Sequence, residues 1–316
     1  MTNQKPLYVY SHVCHEDEDS LRDLELRVLF GQDAAPGLFV SGREVDPDRS
    51  PFLKERIEVL VEGDDIASVA KQVARVQVPE GATFKVVFVK NPGRDDAEKL
   101  SYDEQRAVER DVGQHITGKA DMRQPDYRFG ITACGGRWYF GHYRRHSSVW
   151  LSHKHKPQHY SIALPVRVAR ALVNMAVPEA AGVKVIDPCC GIGTVLVEAL
   201  SMGIDITGRD INPLAVRGAR DNIAHFGLRG EVRLGSIAEE TGHYDAAIVD
   251  LPYNLASRSS RDEQLFLLRH TRRIAARAVV VSLEPIDDLL GAAGFVVRDR
   301  CMASKGNFSR HVAVCE

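Results

Sequence analysis

A chain of 316 residues with 44% hydrophobic and 27% charged residues has ordinary globular makeup and is long enough for two domains. A net charge of −2 speaks against a chain held to nucleic acid by bulk charge, and the lack of an apolar run of about eighteen residues speaks against a membrane-spanning helix. The six cysteines (Cys14, Cys134, Cys189, Cys190, Cys301, Cys315) show no paired zinc spacing, and the N-terminus has no signal-peptide core, so reduced thiols in a cytoplasmic protein are expected.

The first half, residues 1–150, reads as α+β. Leu7 to Tyr10 is strand-like. Acids from Glu16 to Asp19 suit the first turn of a helix through Leu24, and Gly31 is its expected stop. Strands are predicted at Arg56 to Val61 and Thr83 to Val89, and helices at Ile66 to Val76 and Asp103 to Ile116. Tyr127 to Cys134, Gly135-Gly136 and Arg137 to His142 read as a hairpin on a glycine turn. Residues 151–164, with Lys154 to Pro157 inside them, read as a linker. Residues 165–316 alternate strand and helix, from a helix opened by Pro165 to a strand at Ala278 to Leu283. That grammar predicts an α/β domain with a mostly parallel sheet. Phe295 to Cys301 and His311 to Cys315, joined by a turn at Ser304 to Asn307, would close its edge as an antiparallel hairpin.

Three motifs at strand ends carry the chemistry. Asp187-Pro188-Cys189-Cys190-Gly191-Ile192-Gly193-Thr194 lies between a strand and its helix, where glycines let the backbone approach a ligand. Asp210 ends the next strand, where ribose hydroxyls are held in nucleotide-type folds. A dinucleotide fingerprint needs a third glycine where Leu196 stands, and Asp187 would face a pyrophosphate. S-adenosylmethionine carries an ammonium and a sulfonium instead, so a carboxylate beside the loop suits it. Asp250-Leu251-Pro252-Tyr253 follows an apolar run and suits an amine on a planar ring: acid and backbone carbonyl accept its hydrogens, and Tyr253 stacks.

From Tyr127 to Pro178 there is no Asp or Glu, while the stretch holds Arg128, Arg137, Arg144, Arg145, Lys154, Lys156, Arg167 and Arg170. A basic stretch in a near-neutral chain is expected to meet phosphates, and Arg144, Arg145, Lys154 and Lys156 are the RNA-contact candidates. The bland alternative is that the matching acids lie on spatial neighbours. The five histidines of this stretch (His142, His146, His153, His155, His159) have no accompanying ligand pattern, so no metal is expected.

Together the three motifs resemble those of class I methyltransferases that act on nucleic-acid amines. Gly118-Lys119-Ala120-Asp121, Pro125-Asp126-Tyr127 and Trp138 to Gly141 are similar to the end of a THUMP domain. The chain therefore resembles the THUMP-containing tRNA guanine-N2 methyltransferases. The resemblance implies a Rossmann-like methyltransferase domain after a THUMP-type RNA-binding region, with S-adenosylmethionine as methyl donor and tRNA as partner. It assigns catalysis to Asp250, Leu251, Pro252 and Tyr253, and cofactor contacts to Asp187, Cys189, Gly191, Gly193, Thr194, Asp210, Ile211, Asn212 and Ser236. Leu251 departs from the family's Asp-Pro-Pro-Tyr, and Ser236 stands where relatives often carry Asp. Rival readings are a DNA or rRNA amino-methyltransferase and a catalytically decayed RNA-binding protein. A small activator subunit or a homodimer stays open.

Overall fold

A computed structural model of the chain describes residues 6–93, 99–160, 163–179, 181–252, 260–306 and 308–316. It divides into two compact units, Met1–Val13 with Asp33–Ser147 and Cys14–Gln32 with Ser148–Glu316. Helix α1 (Asp19–Phe30) thus leaves the first half, where the sequence placed it, and joins the second unit. Its apolar face (Leu21, Leu24, Leu26, Leu29, Phe30) is buried. Glu25, also buried, accepts a hydrogen bond from Asn174 at 2.6 Å, and Arg27 pairs with Asp299 at 2.5 Å. Gly31 stops the helix in the left-handed conformation, φ 69°, as expected.

The first unit holds one sheet in the order β2-β1-β3-β7-β6-β4-β5. These strands are β1 (Tyr8–His12), β2 (Leu38–Ser41), β3 (Leu53–Gly63), β4 (Thr83–Phe88), β5 (Lys119–Ala120), β6 (Tyr127–Cys134) and β7 (Arg137–Arg145). Pairing is antiparallel except where β4 meets β5 and β6. Helices α2 (Ile66–Val73) and α3 (Tyr102–Gly113) bury Val69, Val73, Val108 and Val112 in a core with Phe84, Phe129 and Phe140. Gly135 and Gly136 have φ 58° and 78°, the paired left-handed residues of a two-residue hairpin turn.

The second unit is the predicted α/β layer structure, with sheet order β10-β9-β8-β11-β12-β14-β13. Strands β8 (Lys184–Asp187), β9 (Asp205–Asp210), β10 (Glu231–Leu234), β11 (Tyr244–Asp250) and β12 (Ala275–Ser282) run parallel. The hairpin β13 (Val297–Lys305) and β14 (Phe308–Cys315) closes the edge antiparallel to β12. Helices α4 (Val166–Ala176), α5 (Thr194–Ser201), α6 (Pro213–His225), α7 (Arg261–Ile274) and α8 (Asp287–Ala292) complete it. Ala246 to Val249 are all buried, as a central parallel strand covered on both faces requires. Strand order reverses at β8, which lies between β9 and β11, and such a reversal opens a crevice at the strands' carboxyl ends.

The expected linker is not free. Val149–His155 form a 3-10 helix within the second unit, and Trp150, His153 and Lys156 are buried.

Candidate active site

The crevice holds a cavity of about 340 Å³, in the range of small-molecule sites. Most residues singled out in the motifs line it: Asp187, Cys189, Gly191 and Thr194 from the glycine loop, Asp210, Ile211 and Asn212 after β9, and Ser236, Asp250, Leu251 and Pro252. Gly193 does not. It precedes α5 with φ 77°, and a Cβ there would meet Ala219 at 3.0 Å, so its role is close packing of loop on helix. Gly191 has φ 51° with open space where a Cβ would be, which leaves its backbone bare to the cavity. Tyr253 lies outside the described residues.

The loop is held by its neighbours. Cys190 N–H donates to the Arg209 carbonyl at 3.0 Å, and Gly191 N–H donates to Asp210 Oδ2 at 2.8 Å. Asp210 Oδ1 accepts the Asn212 N–H at 2.9 Å. Two expected ligand contacts also act as helix caps. Asn212 Oδ1 accepts from Leu214 N–H at the start of α6, and Ser236 Oγ accepts from Ala238 N–H. The Ser236 carbonyl takes a bond from buried Arg209 at 2.9 Å, which fixes that turn.

The cavity is acidic. Burial pushes the Asp187 carboxyl well above the usual range, with the Cys189 N–H opposing and the charges of Asp250 and Asp210 adding to the rise. Burial pushes Asp250 up to about 7, partly offset by the buried guanidinium of Arg310 on β14. Burial likewise raises the Cys189 thiol far above its ordinary value, so it is a packing wall rather than a nucleophile. Asp250 Oδ1 and Thr194 Oγ1 are buried with no hydrogen-bond partner among the described residues. A buried polar atom left unpaired is costly, so both atoms suit a ligand that supplies donors.

Leu251 takes the place of a proline without loosening the turn. It is 2% exposed, and its N–H donates to the Val281 carbonyl at 3.0 Å, a ladder bond that proline has no hydrogen to make. The sequence did not point to Arg310, nor to Tyr160, Ala163 and Leu164, which form another wall of the cavity.

The RNA-contact candidates fare differently. Lys156 is 6% exposed, and burial lowers its ammonium, with the Glu198 charge opposing. A buried cation is no phosphate contact, which corrects its assignment. Arg144 pairs with Asp46 at 2.6 Å. Arg137, Arg167 and Arg170 pair with Glu62, Glu18 and Glu198, so acids from elsewhere in the chain meet much of this basic stretch. Arg145 and Lys154 are exposed, on the first and second units respectively. Of the histidines, His153 is bonded to Glu198 at 2.7 Å.

Residues 154–280 match the family UPF0020, described as RMKL-like, methyltransferase domain. The chain is 30% identical over 132 residues to a tRNA (guanine(10)-N2)-dimethyltransferase of Methanothermobacter thermautotrophicus, covering 40% of this chain and 38% of that one. It is 28% identical over 123 residues to the U6 snRNA (guanine-N(2))-methyltransferase THUMPD2 of Bos taurus, covering 37% of this chain and 24% of that one. The chain thus spans well under half the length of these curated relatives. Among solved structures, TrmN from Thermus thermophilus aligns over 98% of this chain and 99% of its own at 20% identity, with a TM-score of 0.47.

Proposed function

We propose, from the premise that residues 154–280 are an RMKL-like methyltransferase domain, that the chain methylates the exocyclic N2 amine of a guanosine in RNA, with tRNA as the substrate class. The observation that carries this reading is the unpaired Oδ1 of Asp250, buried in an acidic cavity at the carboxyl end of β11. The named relatives act on guanine N2 of tRNA and of U6 snRNA, which supports guanine as the base.

The donor set fits S-adenosylmethionine. Asp187 faces the cavity, where the positive charge of a ligand ammonium would offset its burial and favour the carboxylate form, and Asp210 retains lone pairs for ribose hydroxyls beyond the two N–H groups it accepts. Ile211, 75% exposed at the rim, offers an apolar surface to a ring. The bound cofactor supplies an electrophilic methyl group on a sulfonium. Asp250 and the Leu251 carbonyl accept the two hydrogens of the target amine, which concentrates its lone pair on nitrogen. Asp250 then takes the proton that leaves the methylated amine. The ladder bond from Leu251 to Val281 holds the carbonyl in place, so the rate gain rests on positioning. A guanine inside a folded RNA must leave its stack to reach this depth. The first unit is a THUMP-type module that grips RNA, with exposed Arg145 among its contacts.

Incubation with unmodified bulk tRNA and methyl-labelled S-adenosylmethionine, followed by nucleoside analysis, tests this. Label in N2-methylguanosine or its dimethyl form is the expected result. Label confined to adenine or cytosine of duplex DNA, or none with any nucleic acid, overturns it.

A further inference from the structure

The segment that follows Ser148 reaches the cavity wall at Tyr160 and Leu164, and two fully buried side chains hold it down. Glu198 on α5 binds His153 at 2.7 Å and Arg170 at 2.6 Å. Asn222 on α6 does something less usual. Its Oδ1 accepts the Gln158 N–H at 2.9 Å, while its Nδ2 donates to the Gln158 carbonyl at 3.2 Å and the Ile192 carbonyl at 2.8 Å. Ile192 lies between the two glycines of the cofactor loop. One primary amide therefore ties two stretches of backbone, the glycine loop and the segment that leads to Tyr160 on the cavity wall, and uses both ends to do so. Gly218, on the same helix, faces the same junction: a Cβ there would lie 3.2 Å from Ile192 and 3.5 Å from Gln158.

An ordinary buried asparagine satisfies whatever backbone lies nearest and affects stability alone. Here one backbone belongs to the glycine loop that lines the cavity at Ile192, and the other runs within two residues to Tyr160, which lines it too. We infer that Asn222 is a positioning residue that staples the segment around Gln158 to the glycine loop, and so presets the cavity for its cofactor. The inference rests on the cofactor reading above. Loop and segment form one unit when Asn222 is present, and cofactor binding must order them afresh when it is not.

The test uses the full chain and two variants. Asn222→Ala removes the staple. Gly218→Ala leaves every polar group in place and favours the helix, but wedges the junction, so it keeps the test sound if the first variant folds poorly. Titration calorimetry with S-adenosylmethionine is expected to show about a tenfold weaker Kd for Asn222→Ala and about a threefold weaker one for Gly218→Ala. KM for the cofactor should follow, with kcat at saturation within about twofold of wild type. Unchanged Kd values beside a lowered Tm would reduce Asn222 to a core residue and overturn the inference. Wild-type protein that binds no S-adenosylmethionine sinks the cofactor reading instead. Hydrogen exchange of the unliganded proteins then decides the staple: faster exchange over 189–194 and 152–160 in both variants upholds it, and unchanged exchange overturns it.

Discussion

The glycine loop and the acid-free stretch from Tyr127 to Pro178 were equally conspicuous in the sequence, and the structure treats them in opposite ways. Asp187, Gly191, Thr194, Asp210 and Asp250 arrive at one cavity as their order along the chain implied. The basic stretch is largely matched by acids that the sequence keeps far away, with Arg144 on Asp46, Arg167 on Glu18 and Arg170 on Glu198. A motif at a strand end is placed by local backbone rules, since parallel strands bring their carboxyl ends to one edge whatever else the chain does. A charge is only as exposed as its spatial neighbours allow, and those are set by the whole fold.

The largest test of the first region is Asp250→Ala. If the orphaned carboxylate holds the target amine, methyl transfer to tRNA falls by about 100- to 10,000-fold while cofactor affinity changes little. Single-turnover transfer at the wild-type rate would remove Asp250 from the chemistry.

Leu251→Pro comes next, and it writes the family's own residue into the motif. It removes the bond to Val281 and a side chain buried in the core that also holds Leu268 and Val280. Stability should drop by about 2–4 kcal/mol in urea unfolding, with no gain in activity. A variant as stable as wild type and more active would show that the proline's rigidity matters and the ladder bond does not.

The same two regions show what was legible. Gly31 as a stop, Pro165 ahead of α4 and the two-glycine hairpin turn are local signals, and the structure has them where the sequence put them. Strand β5, of two residues, and helix α8, of six, are too short to carry a period. The allegiance of α1 was invisible because Glu25 finds Asn174 only after the chain folds. Asn222 left a trace that could have been read. On a helix whose inner face is Ala215, Val216, Ala219 and Ile223, a polar side chain at that face must bond to something buried. Arg310 left none, since only the register of β14 on β12 brings it toward the end of β11.

A smaller effect is the response to pH. Burial raises the folded-state carboxyl of Asp250 to about 7, so the base form fills as pH rises through that value. kcat/KM for the cofactor should climb about tenfold per unit below pH 7 and level off above it. The stability sign is opposite. A carboxyl raised on folding contributes stability that is fully present below its unfolded value and lost as pH rises through its folded value. Asp250→Asn should therefore gain in Tm over wild type at pH 8, lose most of that advantage by pH 5, and lose the rest below the ordinary carboxyl range of about 4. A flat rate profile from pH 5.5 to 8.5 would place the titrating group elsewhere.

The smallest expected effect separates two lysines of the basic stretch. Lys154 is exposed, with its ammonium 5.9 Å from the Trp150 ring, whereas Lys156 is buried. If Lys154 meets a phosphate, Lys154→Ala weakens tRNA binding a few-fold and lowers the slope of log K against log salt by about 1. Lys156→Met keeps the buried stem and removes only a charge whose burial is already unfavourable, so the salt slope stays at the wild-type value and Tm holds or rises. Equal slope losses for both lysines would mean that Lys156 leaves its buried place when RNA binds. The contrast between the two regions would then be a property of the unbound chain alone, and the charge pattern in the sequence would describe the complex better than the free fold does.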